Sequence, residues 1–167
     1  DVNKGDDKKP VYRSRLVAKE FKRIGLDDDD LFAGTPPLEA LKLLISAAAM
    51  TDEVGGHDRC MLIADVSRAF FEAAATRNVC VEIVQEDRTP EDDRLDLVGK
   101  LDLSMYGTRD APANWQEEIA KNMKSWEFSR GLYNSCTYRH PDRDLQVLVH
   151  GDDFVAVGSL EGVTWFK

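Results

Sequence analysis

The residue types that staple small domains are scarce in this chain. It holds only three cysteines (Cys60, Cys80, Cys136) and three histidines in 167 residues. An odd set of widely and irregularly spaced thiols makes no disulfide framework and fits a reducing compartment. His57-Asp58-Arg59-Cys60 offers a His-x-x-Cys pair, but no second pair follows at zinc-like spacing, which sets a structural zinc site aside. Long apolar runs are missing as well, so no membrane span is expected, and no signal-peptide pattern opens the chain. The start, Asp1-Val2-Asn3-Lys4, lacks an initiator Met, as expected of a piece of a longer polypeptide. Internal repeats and low-complexity tracts are absent.

Positive charge is also short. Lys and Arg total 22 against 31 Asp and Glu, a formal net charge of −9 with pI near 4.8. That excludes a simple electrostatic nucleic-acid binder, which is basic overall. The deficit is uneven, however: residues 1–26 carry a net +4, leaving −13 for the rest. A four-carboxylate run, Asp27 to Asp30, lacks the alternating ligand spacing and turn glycine of a calcium loop and reads as a solvated turn.

What is present is enough apolar material for one domain, with 43% hydrophobic and 32% charged residues. Val11 to Phe21 reads as strand or hairpin, with basic groups interleaved. Thr35-Pro36-Pro37 reads as a helix start, and Leu38, Leu41, Leu44, Ile45 and Ala48 recur at helical spacing, so a helix is expected over 37–50. Cys60 to Val66 is an apolar strand carrying a lone carboxylate, Asp65, near its end. A short helix is expected over 67–75, a strand over 79–84 and a charged loop over 85–96. A second amphipathic helix covers 112–128, with Trp115, Ile119, Met123 and Trp126 as its core stripe. Leu145 to Val149 and Phe154 to Val157 form a hairpin whose turn is His150-Gly151-Asp152-Asp153.

Carboxylates at the ends of apolar strands cost free energy unless something compensates them, and a bound cation is one candidate. Convergent aspartates from neighbouring strands are what two-metal phosphoryl transfer needs. Strand alternation sets Asp152 and Asp153 on opposite faces unless the turn twists them, which makes one a strong ligand and the other a helper. The competing reading has Asp152 and Asp153 as turn formers and Asp65 as a helix cap. A His150-based catalytic dyad lacks a placed serine or cysteine nucleophile.

Four blocks in order carry a resemblance. Tyr12-Arg13-Ser14-Arg15-Leu16-Val17-Ala18-Lys19-Glu20-Phe21 resembles K-A-R-L-V-A-K-G-F of copia-type retrotransposon reverse transcriptases. Asp65-Val66-Ser67-Arg68-Ala69-Phe70-Phe71 resembles their D-V-x-x-A-F-L. Tyr106-Gly107-Thr108-Arg109-Asp110-Ala111-Pro112 with Trp115 resembles Y-G-L-K-Q-A-P-R-x-W, and His150-Gly151-Asp152-Asp153 stands at the Y-V-D-D hairpin. The resemblance implies an α+β fold, the fingers–palm part of a right-handed polymerase: an antiparallel palm sheet packed on helices, with the thumb absent. Fingers would be 1–58 with 87–104, and palm 59–86 with 105–167. It implies two Mg²⁺ ions, or Mn²⁺, on Asp65, Asp152, Asp153 and the Val66 carbonyl.

The same resemblance implies nucleotide contacts from Arg15, Lys19 and Arg109, with Phe70 as a steric gate against a ribose 2′-hydroxyl. On the residues alone, Arg15 and Lys19 also read as a solvated basic hairpin and Phe70 as core. Implied partners are an RNA/DNA template–primer, a deoxynucleoside triphosphate and the rest of a Pol polyprotein (thumb, ribonuclease H, integrase). The implied location is intracellular, in a cytoplasmic particle and the nucleus. Departures are Glu20 for glycine, Asp110 for glutamine (a negative charge facing the nucleotide), Phe32-Ala33-Gly34-Thr35-Pro36 for F-A-P-V, Glu72-Ala73 for an apolar–glycine pair, and His150-Gly151, expected to loosen the hairpin. These departures and the acidic body keep open a second reading, a co-opted, non-catalytic subunit in a protein complex. A metal-dependent nuclease on the same aspartates has no motif of its own.

Overall fold

The computed structural model of the chain describes residues 2–3, 8–21, 31–50 and 59–167. Asp27 to Asp30, the 51–58 loop and His57 of the His-x-x-Cys pair lie outside the described residues. A small ribbon pairs β1 (Val2–Asn3) with β2 (Tyr12–Arg13). The expected strand over 11–21 is therefore shorter. Residues 14–21 carry no strand and lie on the 106–107 turn instead, with the Ala18 amide donating to the Tyr106 carbonyl at 2.7 Å.

The centre is a five-stranded antiparallel sheet made of β3 (Cys60–Asp65), β6 (Ser129–Arg130), β7 (Thr137–His140), β8 (Leu145–His150) and β9 (Asp153–Gly158), in the order β3-β9-β8-β7-β6. Strand alternation divides its side chains between two faces. Leu145, Val147 and Val149 with Ala156, Leu62 and Phe154 point to one face, where Trp115, Ile119 and Met123 of α3 (Ala111–Ser125) and Val163 and Phe166 of α4 (Leu160–Phe166) complete the main core. Leu148, Val155 and Val157 point to the other face and pack on Leu44 and its neighbours in α1 (Leu38–Ala49). A mixed α/β fold with an antiparallel sheet is thus borne out.

Several local expectations are corrected. α1 begins directly after the Thr35-Pro36-Pro37 run, close to the expected 37–50, and no side chain caps it. α3 ends at Ser125, so Trp126 closes the helix and is 49% exposed instead of joining the core stripe. The 67–75 helix shrinks to one 3₁₀ turn over Ala69–Glu72, and the 79–84 strand to β4 (Cys80–Val81), paired with β5 (Gly99–Lys100). Within the supposed 85–96 loop stands α2 (Pro90–Leu95), started by a reciprocal capping box between Thr89 and Asp92. The acids of its first turn face the helix dipole favourably, and Arg88 and Arg94 pair with Asp93 and Glu91 at 2.9 and 3.0 Å. Much of the acidity of 86–96 is therefore local helix chemistry.

Candidate functional site

Asp65 and Asp153 are direct cross-strand partners on β3 and β9, and His150 of β8 faces Asp153 from the other side. The three side chains share the face that α1 covers further along, one step beyond the Ile63–Val155 pair. Opposed residues in antiparallel strands hold their Cβ atoms about 5 Å apart. Asp152 occupies the turn, and its carbonyl accepts the Val66 amide at 2.9 Å, which joins the end of β3 to the hairpin. Asp153, rather than Asp152, is thus the residue directly opposite Asp65. Asp65 caps no helix, because the 3₁₀ turn starts after Arg68.

The hairpin is held firmly. Gly151 has φ +65° and a Cβ there would meet nothing within 4 Å, so the only demand on this position is left-handed backbone. Glycine adopts that conformation without the strain a β-branched residue would carry. The expected loosening is corrected: glycine fits the two-residue turn, whose first central position favours it. The indole N–H of Trp115 donates to the Gly151 carbonyl at 2.8 Å and ties the turn to α3. Sequence reading took Trp115 as core alone; its aromatic stripe position conceals the polar end.

Around this end of the sheet the structure gathers part of the expected nucleotide set. Phe70 lies 4.6 Å from the Tyr106 ring, Phe71 packs on the same ring edge-on at 5.7 Å, and the Arg15 guanidinium covers it at 5.0 Å from the centroid. Tyr106 therefore joins Arg15 to Phe70, a link no sequence pattern disclosed. Lys19 and Arg109 do not join that cluster; they line a cleft of about 890 Å³ between the 16–21 segment and residues 77–84.

Between these groups lies an ion cluster that sequence reading missed. Arg77 binds both oxygens of Glu20, at 2.9 and 2.8 Å, and Asp110 at 2.7 Å. Asp110, only 4% exposed, also accepts from the Asn114 amide, and Glu20 accepts the Arg109 backbone N–H at 2.8 Å. The hydrogen bonds from Arg77 hold both carboxyls below their ordinary range, against the opposing push of burial. Asp110 therefore presents no free negative charge toward the cleft, which corrects the expectation drawn from its replacement of glutamine.

The sheet-end aspartates contrast with this. Asp65 and Asp153 are exposed, Asp152 is half-buried, and among the described residues no hydrogen bond or ion pair reaches their carboxylates. Among the described residues no three acidic, histidine or cysteine side chains form a ready metal cage. An all-oxygen pair with a third carboxylate beside it nevertheless suits Mg²⁺ or Mn²⁺. Such an ion is commonly held by one or two carboxylates and completed by water and substrate phosphates. The donor set fits a cation that arrives with a phosphorylated substrate.

Comparison with known proteins points the same way. The family model described as reverse transcriptase (RNA-dependent DNA polymerase) matches residues 2–164. The chain is similar to the retrovirus-related Pol polyprotein from transposon TNT 1-94 of Nicotiana tabacum, 28% identical over 164 residues, covering 95% of this chain and 12% of that protein. It is also 26% identical over 153 residues to the retrovirus-related Pol polyproteins from transposons RE2 and RE1 of Arabidopsis thaliana, covering 89% of the chain and 10% of each. The chain spans about a tenth of the length of these relatives. No solved structure matches it.

Proposed function

Because the chain belongs to the reverse transcriptase (RNA-dependent DNA polymerase) family, we propose that it is the fingers–palm part of an RNA-directed DNA polymerase within a copia-type Pol polyprotein. In this reading the fingers are residues 1–58 with 87–104, and the palm is 59–86 with 105–167. The observation that carries it is the Asp65–Asp153 cross-strand pair, with Asp152 in the adjoining turn and none of the three compensated among the described residues.

Enzymes of this family generally use divalent metal ions, and here Asp65, Asp152, Asp153 and the Val66 carbonyl would hold them. When bound, two Mg²⁺ ions supply activation of a primer 3′-hydroxyl and charge stabilisation of the departing pyrophosphate. Arg15, Lys19 and Arg109 bring cationic groups to the side from which a triphosphate enters, matching the +4 charge of the N-terminal region. Phe70, backed by Tyr106, puts an aromatic ring five residues after Asp65, where bulk discriminates against a ribose 2′-hydroxyl. Template–primer, deoxynucleotide and the remaining Pol regions (thumb, ribonuclease H, integrase) are the partners. The similarity to transposon polyproteins favours this reading over a co-opted structural subunit.

The test is primer extension on a poly-rA template with Mg²⁺ or Mn²⁺, using the protein with its native flanking sequence. Incorporation that is lost in Asp152→Asn is expected. No incorporation, or incorporation indifferent to that change, would overturn the proposal.

A further inference from the structure

Two of the motif departures, Glu20 for glycine and Asp110 for glutamine, meet at a single cation, Arg77. They are 57 and 33 residues from it in sequence, and 90 residues apart from one another. The backbone closes on the same place. Ala18 and Glu20 donate to the Tyr106 and Gly107 carbonyls at 2.7 and 3.3 Å, and a Cβ on Gly107 (φ +90°) would overlap the Ala18 carbonyl. Only glycine lets the two chains approach so closely. Asp110 begins α3, whose Trp115 holds the catalytic hairpin, and Glu20 adjoins Lys19 and binds the Arg109 amide. A planar guanidinium with a fork of donors can serve two carboxylates at once in a fixed geometry, which an ammonium cannot.

We propose that Arg77 is a positioning residue of the polymerase: through Glu20 and Asp110 it locks the Arg15–Phe21 segment onto the start of α3, fixing Lys19 and Arg109 for the incoming nucleotide. The two substitutions and Arg77 form one unit, in which a single guanidinium is shared between two carboxylates. The nucleotide role rests on the function proposed above; the lock itself does not.

The test compares Arg77→Ala, Arg77→Lys, the pair Glu20→Gly with Asp110→Gln, and that pair with Arg77→Ala added, all in the full-length polypeptide. Amide exchange at Ala18 and Glu20 reads the lock, with Val147 and Val155 as reporters of the sheet. Arg77→Ala should speed exchange at Ala18 and Glu20 by roughly tenfold or more beyond any change that global destabilisation brings to the sheet amides. It should also raise the KM for deoxynucleotide more than it lowers kcat. Arg77→Lys should fall in the same direction with a smaller effect, and it carries the test if the alanine variant does not fold. In the background without both acids, removing Arg77 should change neither readout further, the non-additivity of an interacting unit.

Exchange at Ala18 and Glu20 that rises no more than exchange in the sheet, or full additivity, would overturn the lock. Faster exchange with an unmoved KM would overturn the nucleotide role and leave only a structural tie. Absence of primer extension in the unaltered protein counts against the proposed function, while the exchange data still decide the lock.

Discussion

Two groups of carboxylates lie in this molecule under opposite conditions. Asp65, Asp152 and Asp153 gather at one end of the sheet, exposed or half-buried, with no counter-charge among the described residues. Glu20 and Asp110 meet at the start of α3, Asp110 fully buried, and both are bonded to Arg77. Acids that serve the fold are paired inside the protein, because a buried unpaired charge is costly. In the proposed reading the sheet-end acids serve a ligand and are left open to it, and their mutual repulsion is tolerated at the surface. The same side-chain chemistry is thus assigned to structure or to function by what faces it.

This contrast can be broken or sharpened by substitution. Arg77→Ala, which strands Asp110, should lower the free energy of unfolding in urea by about 2 kcal/mol. Asp152→Asn should lower it not at all, and equal losses in the two variants would erase the distinction. Gly151→Val forces a β-branched residue into left-handed backbone and should cost about 1.5 kcal/mol, although there is open space for the side chain. Trp115→Phe keeps one aromatic ring but removes the pyrrole ring with its N–H donor to Gly151; a loss of at least about 1 kcal/mol with faster amide exchange in the hairpin is expected.

Acid should act on one group selectively. The pKa values of Glu20 and Asp110 are lowered in the folded protein, chiefly by hydrogen bonds from Arg77, from ordinary values of 4.5 and 3.8. Their contribution to stability is therefore complete above those values and is lost as pH falls through the lower folded ones. Urea midpoints of the unaltered protein should decline below about pH 4.5 more steeply than those of Glu20→Gly with Asp110→Gln. The smallest effect belongs to Asp65→Asn, which removes one member of a like-charged cross-strand pair; a slight rise in Tm in metal-free buffer is expected.

How much of this was legible in the sequence follows from which interactions are periodic. Helices α1 and α3 and the β8–β9 hairpin announce themselves through apolar spacing, and Asp65, Asp152 and Asp153 through position at the ends of apolar strands. β7 stayed hidden because Thr137 to His140 is polar, with His140 buried against the Phe128 and Trp165 rings. α2 hid in a charged stretch, although Thr89-Pro90 with Asp92 three residues on was a helix-start signal available to be read. Arg77 had no local signal at all. Its partners are distant in sequence, and only the fold brings them together.

The proposed function requires that the aspartates of β3 and the β8–β9 hairpin, which meet no counter-charge among the described residues, hold a divalent cation. Mn²⁺ binding followed by electron paramagnetic resonance, with a deoxynucleoside triphosphate present, addresses it without requiring turnover. In the unaltered protein a bound population above that of the nucleotide alone is expected, and it should disappear in Asp65→Asn with Asp153→Asn while persisting at saturating nucleotide in Glu20→Gly with Asp110→Gln. Equal Mn²⁺ binding in all three proteins would contradict it.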